Sequence, residues 1–216
     1  MKTDQLIDML SINSEQVKSG SHGAVLLLAV IAGVSAAIVL MLVTVGPRHD
    51  LLSAPHLEWI GVKLLFAIGV IMTGLPLLNK SMRPGSDEET YWKLIALPFL
   101  GTIAVASAVL VLSHPQVREA MLRGATTISP LRCLFSIVFF AAVPLILVIC
   151  AVRRGAPTRL KLSGGIAGIV AGGVGAAAYA FNCTSDTIPF IAIWYGAAII
   201  LCGVIGAQLS PRTLRW

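Results

Sequence analysis

The sequence predicts an all-α integral membrane protein. Six transmembrane helices are expected, with both termini cytoplasmic and a short amphipathic helix at the amino terminus. Three observations lead there. Of 216 residues, 56% are hydrophobic and only 12% are charged, about half the charged share of an ordinary soluble domain. The mean hydropathy is +0.87. The apolar residues gather into runs near 20 residues long, the length needed to cross a hydrocarbon core of about 30 Å. The cations are also unevenly distributed between those runs. Such a composition excludes a disordered chain, a nucleic-acid-binding tail and a disulfide-stapled secreted miniprotein. It also argues against a soluble globule, which has too few charges here to cover its surface.

Residues 1–23 are polar and form a tail; residues 24–216 form the membrane domain. Residues 24–45 carry no charge after the polar leader and read as the first span. A cleaved signal peptide is the weaker reading, because Asp4, Asp8 and Glu15 precede a run too long for its apolar region. The other spans fall at about 58–78, 92–112, 131–152, 163–181 and 189–209. Pro47, Pro55, Pro84, Pro115, Pro130, Pro157 and Pro211 fall in loops or at span ends, while Pro76 and Pro98 are placed to kink their spans. Trp59, Tyr91, Trp92, Trp194, Tyr195 and Trp216 lie near the expected interfaces, as an aromatic belt would. Without water in the hydrocarbon every segment must satisfy its own backbone, so the spans are helices. The alternation that a barrel needs is absent.

Sidedness follows from the 16 Lys and Arg. With the amino terminus inside, Lys2, Lys18, Lys80, Arg83, Lys93, Arg153, Arg154, Arg159, Lys161, Arg212 and Arg215 are cytoplasmic. Arg48, Arg118, Arg123 and Arg132 are outside, and Lys63 lies within a span. That asymmetry obeys the positive-inside rule.

The fifth span repeats small residues every four positions, Gly164, Gly168, Gly172 and Ala176, which allows a neighbouring helix to approach closely. Whether that neighbour belongs to this chain or another copy is open. A phosphate-binding glycine loop is disfavoured, since no strand precedes it. No carboxylate is expected at mid-membrane, which counts against a transporter or proton relay. Glu58 sits at the rim of the second span. Lys63, little more than one turn deeper, reads as a snorkelling or rim-paired lysine, with a buried functional lysine as the alternative. No His-Glu-x-x-His, nucleophile elbow or paired catalytic acids occur, so the chain is not expected to be an enzyme.

Four cysteines are present: Cys133, Cys150, Cys183 and Cys202. Spans four and five form a hairpin that turns near Thr158, and Cys133 and Cys183 lie 25 residues to either side of it. At about 1.5 Å of rise per residue both return to one height at the outer surface. Axes about 8–10 Å apart then allow the two to approach disulfide range. Three roles remain open: a redox or thiophilic-metal sensor, a passive staple, or none. His49, His56 and His114 also lie in outer loops and read most simply as loop residues, although imidazoles with thiolates suit soft metals. Cys150 and Cys202 read as small apolar fillers.

In the tail, Thr3 caps a helix over residues 4–11. At about 100° per residue Leu6, Leu10 and Val17 share one stripe, flanked by Ile7 and Met9, opposite Asp4, Asp8 and Glu15. So short a helix needs a surface to bury against. Acidic residues suit anionic lipid poorly, which favours a partner protein over the membrane face. The loop Arg83-Pro84-Gly85-Ser86-Asp87-Glu88-Glu89 offers either an acidic contact or a solvated turn.

These residues together resemble the NrsF-type anti-sigma factors. That family comprises six-span bacterial inner-membrane proteins that negatively regulate an extracytoplasmic-function sigma factor. The likeness covers nearly the whole chain. It runs from Thr3-Asp4-Gln5-Leu6-Ile7-Asp8-Met9-Leu10 through Arg132-Cys133 to Arg153-Arg154-Gly155-Ala156-Pro157-Thr158-Arg159. It then continues through Asn182-Cys183, Trp194-Tyr195-Gly196 and Leu214-Arg215-Trp216. Asn182-Cys183-Thr184 stands where a Cys-Pro is expected. The resemblance implies that the tail, through Asp4, Leu6, Ile7, Asp8, Met9 and Leu10, holds a sigma factor at the membrane. It implies too that Cys133 and Cys183 receive a heavy-metal or oxidative signal that releases it. No resident cofactor is expected, only a transient thiophilic ion as inducer. The partners expected are the sigma factor and the bilayer, without direct contact to nucleic acid; self-association is open. The competing readings are a small transporter or channel subunit, and a scaffold whose tail recruits another soluble protein.

Overall fold

The computed structural model describes residues 21–48, 54–82, 89–127, 130–155, 157 and 159–213. The expected tail helix, with Asp4, Leu6, Ile7, Asp8, Met9 and Leu10, lies outside the described residues. So do His49 and most of the 83–89 loop.

The described chain is helical: α1 (Ser21–Thr44), α2 (Ala54–Ser81), α3 (Glu89–Leu112), α4 (Pro115–Thr127), α5 (Pro130–Arg153), α6 (Leu160–Tyr179) and α7 (Ile188–Thr213). All but α4 are long and apolar enough to cross a membrane. Helices alternate in direction, so Ser21 and Thr213 share one end of the bundle. The 45–48 turn, α4 and the 180–187 loop share the other, called here the cysteine end.

α6 is the axis of the bundle: 78% of its span is buried, against 11% for α3. Its composition explains why. Glycines occupy three of its faces, and each meets a different helix. A Cβ on Gly168 would lie 2.8 Å from Cys202 C and Gly203 Cα of α7. One on Gly175 would lie 2.6 Å from the Ile137 carbonyl oxygen of α5, and one on Gly173 2.9 Å from Ile71 Cγ1 of α2. In lipid, where apolar burial drives no helix pairing, such close backbone packing supplies the attraction. The small-residue seam is thus satisfied within this chain, by Gly203 and Gly206 of α7. α3 sits at the periphery against α2, where Phe66 and Phe99 meet edge-to-face at 5.6 Å.

Several expectations need correction. A short helix, α4, occupies what was read as a plain loop between the third and fourth spans. Pro211, expected in a loop or at a span end, lies inside α7. Pro144, on which no expectation was placed, lies inside α5, where Gly33 of α1 packs against it (3.2 Å from a Cβ built at Gly33). Tyr195 is not part of an interfacial belt; it is wholly buried. The helix widens to a π turn over Ile191–Tyr195, and Tyr195 there stacks obliquely on Tyr179, 6.5 Å between ring centroids. Cys150 is exposed on the bundle surface, whereas Cys202 fills the α6–α7 seam.

Candidate sensor site at the cysteine end

α5 begins just before Cys133, and α6 ends just before Cys183. The hairpin therefore returns the two thiols to one level. Both are free, both are buried, and they are hydrogen-bonded to each other. The Cys183 thiol, in the loop between α6 and α7, is held below the ordinary cysteine range. The Cys133 hydrogen bond is the main cause, opposed by burial and reinforced by the Lys63 charge and the Ser185 backbone N–H. The Tyr195 hydroxyl lies beside Cys183 and has no other partner among the described residues.

Lys63 proves decisive in a way the sequence did not reveal. It does not snorkel: its side chain is 0% exposed. Its ammonium donates to the Cys183 carbonyl oxygen at 2.9 Å and to Asp186 Oδ1 at 2.8 Å. Arg48 donates to the same carbonyl at 3.3 Å and to Asp186 Oδ2 at 3.2 Å. Sequence reading missed Asp186 because it lies in the loop, outside any span. Only the fold brings it over the mouth of α2. A lysine one turn inside a span was the available signal, since a buried ammonium requires an anion.

The same loop is fastened to the end of α1. Gly46 ends that helix with φ +72, a left-handed turn that glycine adopts without a steric penalty. Its N–H and that of Val45 both donate to the Met41 carbonyl. Asn182 Nδ2 donates to the Gly46 carbonyl oxygen at 2.9 Å. The Arg48 N–H donates to the Phe181 carbonyl oxygen at 3.2 Å.

Chemically, two adjacent sulfurs can bridge a soft cation or close a disulfide when an oxidant removes two electrons and two protons. Among the described residues no group of three or more His, Cys, Asp or Glu converges, so the donor set is a sulfur pair rather than a closed tetrahedral site. His114 is exposed.

Comparison with known proteins is consistent along the chain. The family model described as "Negative regulator of sigma F" matches residues 10–216. A "Probable anti-sigma-F factor NrsF" of Azospira oryzae is 33% identical over the full length of both chains. The "Anti-sigma-F factor NrsF" of Caulobacter vibrioides is 31% identical, again over both full lengths. No solved structure matches. With the whole membrane domain aligned and its six spans in place, the chain belongs to the NrsF family of negative regulators of sigma F.

Proposed function

We propose that this protein is a membrane-bound anti-sigma factor of the bacterial inner membrane. Its tail sequesters an extracytoplasmic-function sigma factor and releases it when Cys133 and Cys183 meet a thiophilic metal ion or an oxidant. One observation carries the reading: two free thiols, one near the start of α5 and one in the loop after α6, are buried in mutual contact at one end of the bundle. Arg153, Arg154 and Arg159 mark the opposite end, which the positive-inside rule assigns to the cytoplasm. The thiols then lie on the periplasmic side, where oxidants and metals arrive first. The relatives' names supply the partner class, and they name regulators rather than enzymes.

The bonds around the 181–186 loop suggest the route of the signal. A soft divalent ion displaces one proton from each thiol and binds both sulfurs. The loop shifts to accommodate it, and α1 is fastened to that loop through Asn182, Arg48 and the Phe181 carbonyl. Beyond the Gly46 turn, α1 itself runs without proline from Thr44 back to Ser21, next to the tail. A coupling of about 1–3 kcal/mol along this path changes sigma affinity roughly 5–150-fold.

The test is a sigma-dependent reporter in cells carrying Cys133→Ser or Cys183→Ser. Repression is expected to persist and induction by cadmium to vanish. A mutant that still induces normally removes the sensor from the account.

A further inference from the structure

A lysine with no solvent access needs a reason, because a buried ammonium is tolerated only where acceptors replace its water. Lys63 finds both of its acceptors within residues 183–186, one a backbone carbonyl and one a carboxylate. Residue 183 is itself one member of the thiol pair. An ammonium carries three N–H donors, and the bonds to the carbonyl and to Asp186 employ two. Its charge also acts on both sulfurs. A lysine that merely joined two helices would have no cause to hold the backbone of the cysteine.

We propose that Lys63 is the positioning residue of the thiol pair: anchored by Asp186, it holds the Cys183 carbonyl so that the sulfur faces Cys133 and the two sulfurs can receive one soft cation. The inference rests on the reading of the pair as a sensor. The groups facing Cys183 come from every neighbouring element: Lys63 of α2, Cys133 of α5, Tyr179 of α6, Tyr195 of α7, with Ser185 and Asp186 in its own loop. Arg48 bonds to its carbonyl, and Arg132 acts on Tyr179. Among these, Lys63 acts on both sulfurs.

The experiment uses full-length protein in mild detergent, with cadmium affinity measured by calorimetry. Lys63→Met is expected to weaken cadmium binding about tenfold or more, the usual effect of losing a group that orients a metal ligand. Lys63→Arg, which keeps the charge and the donors, is expected to restore most of it. Asp186→Asn, which removes the anchor of Lys63, is expected to weaken binding in the same direction as Lys63→Met. Wild-type cadmium affinity in Lys63→Met, or a Lys63→Arg variant that binds no better than Lys63→Met, overturns the proposal. Should Lys63→Met fail to fold, Asp186→Asn decides it: unchanged cadmium affinity there overturns the proposal. A Cys183→Ser strain that still responds to cadmium refutes the sensor reading instead.

Discussion

Gly168 and Gly165 stand on one turn of α6, both turned toward α7, and they differ sharply in the room around them. A methyl group at 168 would meet Cys202 C and Gly203 Cα at 2.8 Å and would press on the Cys202 carbonyl oxygen. Carbon atoms rest comfortably at about 3.5–4.0 Å, so the helices must part by roughly an ångström. The obstructing atoms are backbone, which has no rotamer to retreat into. Overpacking of this kind costs about 1–3 kcal/mol. A methyl group at 165 would meet Ala207 Cβ at 3.6 Å and the Gly203 carbonyl oxygen at 3.7 Å, an ordinary contact. Gly165→Ala is therefore expected to be neutral or to stabilise by up to about 0.5–1 kcal/mol, as alanine does in a helix interior. Gly168→Ala should then fall below it by about 1–3 kcal/mol, because the alanine gain is common to both variants and only the overpacking separates them. Equilibrium unfolding in mixed detergent micelles, followed by circular dichroism, measures the difference. If the two variants unfold within 0.5 kcal/mol of each other, the usual spread of neutral changes, α6 does not meet α7 along this seam.

Further expectations concern the signal. Because Cys133 and Lys63 favour the Cys183 thiolate, the reactivity of Cys183 toward a small alkylating reagent should persist as pH falls below the ordinary cysteine value of about 8.5. It should be lost only when the pH drops through the lowered value; a midpoint at or above the ordinary value contradicts the geometry. Leu6→Asp or Leu10→Asp should release the sigma factor without any inducer, read as constitutive reporter activity. Retained co-purification of the sigma factor with either variant would show that this stripe is not the contact. Arg48→Gln removes the charged ties from the α1 turn to Cys183 and Asp186. Basal repression should hold while the cadmium dose for half-induction shifts by about 5-fold or more, the lower edge of ordinary coupling. An unchanged dose response would mean that α1 does not carry the signal.

The six spans were legible from the sequence because lipid imposes a crude requirement. Each crossing needs about 20 apolar residues and leaves charges outside, which a one-dimensional reading can count. The level of Cys133 and Cys183 was legible for a similar reason, since equal helical rise on either side of a tight turn is simple arithmetic. The small-residue stripe of α6 was visible too, but its partner was not, because Gly203 and Gly206 offer their backbone from a separate helix. Lys63 was read as a snorkelling or rim-paired lysine, with a buried one as the alternative, and the chain alone could not choose among these. Its anion, Asp186, lies 123 residues away and outside every span. Tyr195 was assigned to the interface for want of any sign of the π turn that carries it inward.

Sequence by itself thus determined how often this chain crosses the membrane, which end is basic and which cysteines share a level, since each depends on local composition or on distance along a helix. Tertiary structure alone decided that α6 is the axis, that its glycines are filled from within the chain, and that Lys63, Asp186 and Arg48 close over Cys183. Those outcomes depend on which helix faces meet, and contacts between residues on separate helices leave no periodic trace in a single sequence.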